Sequence, residues 1–431
     1  MLARGVATAV SGTPGGLRSG LAMSPFSEPD TPKTLLITLS GKDRPGVTAA
    51  IFRTLSKAGV EVIDVEQIVL RRRLILGVHV SAPRDWKRMR DAVAARAAEL
   101  GMAVEITRTS PEKPRSRATR ADVTILGAPL KASSFAAITG RIADSGTNID
   151  RIERLADYPV TAINLKVSGT QVDRLRTSLT ADARSLGVDI AVQIDNIYRR
   201  GVRLVVMDVD STLIQGEVIE MLAAHAGREA EVAAITELAM RGEIDFEQSL
   251  RQRVAALAGL PDSVFDDVYD AIELNPGART LVRTLRRLGY RFALVSGGFT
   301  QITDRLAADL GIHFSRANTL EVVDGHLTGG LVGPIVDRAG KAEALLEYAA
   351  RIGISADAVI AIGDGANDLD MLNAAGLGIA YNAKPVVQQS ADTSVNVPYL
   401  DSILYLMGVT RDQVEAADAA AGFDTPAPPV R

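Results

Sequence analysis

Leu204-Val205-Val206-Met207-Asp208-Val209-Asp210-Ser211-Thr212 is the stretch on which the fold of this 431-residue chain turns. Four apolar residues of strand type run into two carboxylates and a hydroxyl. A run so uniformly apolar suits a strand buried on both faces, as in a parallel sheet. Open α/β sheets hold their ligands beyond the carboxyl ends of such strands. Taken alone, the segment reads equally well as a strand ending in a solvated turn, where Asp and Ser are common. The downstream sequence separates the two.

From residue 203 onward strands and helices alternate, the pattern of a doubly wound (Rossmann-like) α/β domain, here set at 200–415. Phe292–Val295 ends in Ser296-Gly297-Gly298, and Val359–Ile362 ends in Gly363-Asp364-Gly365-Ala366-Asn367-Asp368. Lys341 opens a helix (Lys341–Arg351) after the turn Asp337-Arg338-Ala339-Gly340. Each piece has a place in phosphoryl transfer. A nucleophilic carboxylate needs a divalent cation, and Asp208 with Asp364 suits Mg²⁺. Ser296 and the Gly297 amide are neutral donors for phosphoryl oxygens. Lys341 supplies a point charge, and Asp210 can protonate a leaving alkoxide and later deprotonate water. Any one of these is an ordinary turn signal; all of them in order are hard to assemble by chance.

Spacing locates an insertion. More than 80 residues separate Asp208 from the strand at Phe292, too many for one crossover, whereas 44 lie between Ser296 and Lys341. About Gln215–Asn275 is therefore expected to form a small helical cap over the site. Within it Glu217 and Arg253 offer opposite charges suited to an ammonium and a carboxylate. Phe246, Leu250 and Val254 fall at helical spacing and read first as packing.

Composition narrows the chemistry. There are no cysteines, which excludes thiolate metal sites and disulfides and fits a cytoplasmic setting. The four histidines lack ligand spacing, so any metal is a hard cation held by oxygen. A net charge of −4 and the absence of a membrane-length apolar run give no reason to expect nucleic acid or membrane as partner. Residues 1–32 read as a disordered leader, with Met23 a candidate start, and 418–431 as a disordered Ala/Pro-rich tail.

Upstream, 33–107 and 121–195 both read as strand-helix-strand-strand-helix-strand, the ferredoxin-like α+β order. Gly59 and Gly146, each closing a first helix, lie 87 residues apart, and Val65-Glu66 recurs at that offset as Ile152-Glu153. An internal duplication accounts for this, joined by a Pro- and Arg-containing linker at 108–120. Each copy buries one sheet face, so pairing between copies or subunits, and a homodimer, is expected. At Asp43-Arg44-Pro45-Gly46, Asp43 can cap a helix and Gly46 lets a ligand approach its N-terminal amides.

Asp43-Arg44-Pro45-Gly46 followed by Gly59-Val60-Glu61-Val62 resembles an ACT domain, a family that binds small amino acids at interfaces between paired domains. The resemblance implies an effector, L-serine being the natural one, near Asp43, Arg44 and Gly46. The second copy has Gly127-Ala128-Pro129-Leu130 instead, but keeps Gly146-Thr147-Asn148-Ile149, which resembles the family's other ligand edge and brings in Asn148.

The later segment resembles the haloacid-dehalogenase superfamily of phosphatases. That likeness implies Asp208 as nucleophile, Asp210 as acid/base, and Mg²⁺ held by Asp208, the Asp210 carbonyl and Asp364, with Asp368 an orienting acid and Thr212 and Gly298 in support. Over about 203–405, including Ala239-Met240-Arg241-Gly242, Phe246 and Ser249-Leu250-Arg251-Gln252-Arg253-Val254, it resembles the phosphoserine phosphatase family. That likeness implies that Glu217 and Arg253 bind the serine ammonium and carboxylate. It further implies that Met240 and Phe246 line the pocket and that Asn367 contacts substrate or phosphate, along with Ser296, Gly297 and Lys341. The implied activity is hydrolysis of O-phospho-L-serine to L-serine and phosphate, the last step of serine biosynthesis. Transfer to another alcohol such as homoserine, and a non-catalytic amino-acid sensor, are the alternatives.

Overall fold

The computed structural model describes residues 34–109, 119–169, 172–195, 204–241 and 243–426. The expected leader, most of the linker and the last residues of the tail lie outside these. The chain divides into two compact units, up to Ser116 and from Arg117 onward.

In the first unit β1 (Thr34–Lys42), α1 (Val47–Ser56), β2 (Val62–Leu70), β3 (Arg73–Ser81), α2 (Trp86–Glu99) and β4 (Met102–Thr109) follow the expected order. The antiparallel sheet runs β2-β3-β1-β4. Alternation along β1 and β3 buries Leu35, Ile37, Leu39, Leu74, Leu76, Val78 and Val80 against Val47, Ile51 and Val93 of the helices. The triple arginine makes the β2–β3 turn, with Arg71 and Arg72 both at positive φ. One local expectation fails. Asp43 does not cap α1; the N-cap is Gly46 at φ 90°, with no side-chain cap hydrogen bond.

The second copy comprises β5 (Thr119–Gly127), α3 (Ala132–Asp144), β6 (Asn148–Ala156), β7 (Thr161–Gly169), α4 (Val172–Leu186) and β8 (Asp189–Ile194), ordered β6-β7-β5-β8. Its helices cover one sheet face. The downstream domain packs against the other: Leu155, Ala162 and Ala191 belong to a core shared with that domain. Asp189 accepts from the Asn396 amide and side chain at 2.7 Å each, and Gln193 donates to Leu406 O at 2.8 Å.

The downstream domain starts at β9 (Leu204–Met207). A cap of α5 (Val218–Ala226), α6 (Glu229–Met240), α7 (Phe246–Ala255) and α8 (Val264–Ala271) follows. Then come α9 (Ala278–Arg287), β10 (Arg291–Phe299), α10 (Thr300–Leu310), β11 (Phe314–Val323), β12 (His326–Val332), α11 (Arg338–Arg351) and β13 (Val359–Gly363). The chain ends through α12 (Leu369–Ala374), β14 (Leu377–Tyr381), α13 (Pro385–Ser390), β15 (Thr393–Val395), α14 (Ile403–Leu406) and α15 (Arg411–Ala420). The sheet order is β12-β11-β10-β9-β13-β14-β15, parallel except at β12. Both faces are buried, with Val205 and Met207 in one core and Leu204 and Val206 in the other. That double burial explains the unbroken apolar run.

Two boundaries differ from the sequence reading. The residues before Lys341 are not a turn, because Asp337 caps Gly340 N and starts α11 at Arg338. The tail does not begin at Asp418, which is fully buried and accepts from Arg283, Arg287 and Thr425. Burial alone would raise its pKa, but these donors hold it down at about 2. Among the described residues no helix is long and apolar enough to cross a membrane.

Candidate active site

Register brings the functional residues together. Met207 of β9 lies opposite Leu294 of β10 and Ile362 of β13. The next residues of all three central strands, leading to Asp208, Ser296 and Asp364, therefore emerge side by side. The Asp208 amide extends the ladder by one bond, donating to Ile362 O at 2.9 Å. Lys341, in the first turn of α11, comes in from below.

The floor is buried and charged. Lys341 Nζ is 2.8 Å from Asp208 Oδ1 and 2.7 Å from Asp368 Oδ1, and all three side chains are at most 5% exposed. Asp208 Oδ1 also accepts from Val209 N at 2.8 Å. Asp368 Oδ2 accepts from Gly365 N at 2.9 Å. Asp364 is held by Thr212 Oγ1 at 2.9 Å. Carboxylate oxygens of Asp208, Asp364 and Asp368 lie within 4.8 Å of one another.

Such crowding has an electrostatic signature. Burial, then Asp368, push the Asp208 carboxyl well above its usual range against the pull of Lys341. Burial and Asp368 raise Asp364 to about 6. Burial would lower Lys341, but Asp208 and Asp368 raise it, so it stays charged. Three acids share one cation, a donor set that fits a further hard divalent ion.

Asp210 sits above this floor. Its Oδ1 accepts from Val218 N at 2.8 Å and its Oδ2 from Ser296 Oγ at 3.1 Å. Burial raises its pKa. Ser296 is fully buried and in turn accepts from Gly298 N at 2.8 Å. Its hydroxyl donates to Asp210 in this structure. A Cβ at Gly298 would lie 2.7 Å from Asp210 Oδ2, so any larger residue there requires the Asp210 carboxylate to shift.

A cavity of about 510 Å³ opens over Asp208, Asp210, Asp364 and Asn367, with Glu217, Phe246 and Arg253 of the cap on its far side. Glu217 accepts from Ser211 Oγ at 3.0 Å, and burial, then Asp210, raise its pKa to about 7. Burial lowers that of Arg253. Met240 closes α6, but its side chain lies outside the described residues. Asp43, Arg44, Gly46 and Asn148 are exposed. Arg44 donates to Leu100 O at 2.8 Å, and Asn148 to Asp150 at 2.8 Å.

Family comparison agrees with this layout. The haloacid dehalogenase-like hydrolase family matches residues 205–373, and ACT domain families match 33–107 and 119–193. A phosphoserine phosphatase of Streptomyces coelicolor is 56% identical over 93% of this chain and 98% of its own. The chain belongs to the phosphoserine phosphatase family. A Mycobacterium tuberculosis member is 52% identical over 90% of this chain and 96% of its own. The crystal structure of a probable phosphoserine phosphatase from Vibrio cholerae superposes with TM-score 0.54 at 34% identity, over 69% of this chain and 88% of that one.

Three contributors to this family site escape sequence reasoning. Asn318, 2% exposed in β11, donates to Gly297 O and accepts from Val336 N, both at 2.8 Å, and so fixes the Ser-Gly-Gly strand end. Asn275 ties the returning cap to Thr212 O at 2.8 Å. Lys384 lines the cavity. Asn318 and Asn275 act on segments remote in sequence, and only a polar residue in a strand (Asn318) left any signal.

Gly298→Ala is expected to displace Asp210 and lower kcat by about 10²-fold, with thermal stability little changed. Steady-state kinetics beside a melting curve checks this. Unchanged kcat would mean that Asp210 is not held by this contact.

Proposed function

We propose that this chain hydrolyses O-phospho-L-serine to L-serine and phosphate through a phosphorylated Asp208, the last step of serine biosynthesis. The observation that carries the reading is one cavity with phosphoryl-transfer acids on its floor and the opposite charges of Glu217 and Arg253 across from them. A phosphorylated amino acid presents the complementary triad of phosphate, ammonium and carboxylate.

Both described contacts to the Asp208 carboxylate fall on Oδ1, which leaves Oδ2 for in-line attack on phosphorus. The phosphorus–oxygen ester bond breaks with its electrons on the serine oxygen, and Asp210, its pKa raised, delivers the proton. Asp210 then takes a proton from water, whose oxygen attacks phosphorus and returns the Asp208 carboxylate. Lys341 holds Asp208 in place and balances charge throughout. Mg²⁺ fits the donor set, with Asp208, Asp364 and the Asp210 carbonyl to hold it; Asp368 is already engaged by Lys341 and Gly365. When bound, that ion neutralises phosphoryl charge. Glu217 takes the substrate ammonium and Arg253 the carboxylate, Phe246 packs against the substrate, and Asn367 faces the phosphate.

The first copy serves regulation and assembly. All of β2 is exposed, with Ile63, Ile68 and Leu70 at 52%, 53% and 66%. An apolar edge strand of this kind calls for a partner strand, and we assign it to a second copy of the chain in a homodimer. L-serine is the effector, bound near Asp43, Arg44 and Gly46 on the first copy and Asn148 on the second. Gly46→Val is expected to relieve serine inhibition while phosphoserine kinetics persist, and Ile68→Glu to give a monomer by light scattering. Serine inhibition unchanged in Gly46→Val would reduce it to product binding, and an Ile68→Glu dimer would remove β2 from the interface.

Glu217 gives a pH test. With its pKa raised to about 7, the free carboxyl is neutral below that pH and charged above it. Ammonium binding needs the charged form, so KM for phosphoserine should rise about tenfold between about pH 8 and pH 6. Glu217→Gln should hold a high, flat KM over that range, measured by phosphate release with Mg²⁺. A flat wild-type KM would contradict the assignment.

A further inference from the structure

The opposite end of the sheet carries a concentration of positive charge that phosphoserine hydrolysis leaves unused. α9 ends in Arg286 and Arg287, β10 begins at Arg291, and His313 just precedes β11. With Arg283 and Tyr290 these residues line a cavity of about 450 Å³. It lies at the amino end of β10, whose carboxyl half carries Ser296 and Gly297. Four of its seven lining residues are arginine, and none of those described is acidic.

Basic residues in the last turn of a helix are ordinarily accounted for by the helix dipole and acidic neighbours. Here the charges do not balance. Arg283 and Arg287 share one carboxylate, Asp418. Arg286 reaches a backbone group, Leu310 O at 3.0 Å. Arg291 has no ion pair among the described residues. Four guanidiniums therefore face a single acid, in a chain whose net charge is −4. Burial, then Arg291 and Arg286, hold the His313 imidazole below its ordinary pKa, so the ring adds hydrogen-bonding capacity.

A monocarboxylate would leave most of this charge uncompensated. Guanidinium forks pair bidentately with phosphate oxygens. The volume lies within the usual range of small-molecule sites. A concavity of this size suits a compact ligand better than an extended nucleic-acid backbone. We propose that this cavity binds a soluble oligophosphate, inorganic or carried by a nucleotide, at a site separate from phosphoryl transfer.

Isothermal titration of the full chain with tripolyphosphate, at low salt and without Mg²⁺, tests this. The comparison is the Arg286→Ser/Arg291→Ser double variant, altered at two exposed positions, with matched melting curves as a folding control. The wild type should bind, and the double variant should bind at least about tenfold more weakly, with both weakened by salt. Adenosine triphosphate binding more tightly than tripolyphosphate would identify a nucleotide as the source, and equal or weaker binding an inorganic chain. Absence of wild-type binding would overturn the proposal. So would equal binding by the double variant, which puts the anion elsewhere, or tighter binding of single-stranded DNA, which makes the patch a nucleic-acid surface.

Discussion

The buried Lys341, clamped between Asp208 and Asp368, is the interaction on which the active site depends. An ammonium and two carboxylates are costly to bury, and attraction at under 3 Å offsets that cost only with good geometry. The geometry comes from two rigid sources: the end of a doubly buried strand and the first turn of a capped helix. Lys341 restrains one oxygen of Asp208 and occupies one of Asp368. The remaining negative charge, shared with Asp364, is left for a metal ion and an electrophile. Removing the lysine would leave two buried acids facing each other, so position and reactivity share one cause.

Around that floor the cap adds selectivity. α5 and α7 bring Glu217 and Arg253 over a cavity floored by the acids, which puts opposite charges across from Asp208. The partial burial that permits this also makes Glu217 a weak acid in the free enzyme. Binding and protonation are thereby linked. The Ser296–Asp210–Val218 hydrogen bonds join core to cap, so Asp210 is held from both sides.

Much of this was legible because phosphoryl-transfer chemistry puts distinctive residues at strand ends, where periodicity breaks. Asp208, Asp210, Ser296 and Asp364 were read from strand ends and Lys341 from a helix start, and the repeat offset located both ferredoxin-like copies. The rest depended on tertiary partners. Asn318 and Asn275 act on backbone groups that no local pattern announces. Asp418 looked like the start of a disordered Ala/Pro-rich tail because the arginines that pair with it stand more than a hundred residues earlier. Asp43 resembled a cap, yet the left-handed Gly46 begins the helix without it. The second copy's need for a covering partner was foreseen, and the downstream domain packs on that face.

The most direct test of the central claim is to find where the phosphoryl group goes. Full-length protein mixed with phosphoserine and Mg²⁺ would be quenched in acid within one turnover, digested, and mapped by mass spectrometry. The expected result is a transient phosphate on the peptide containing Asp208, absent from Asp208→Asn, which should show no turnover. Phosphate on another residue, or wild-type hydrolysis by Asp208→Asn, would contradict the account.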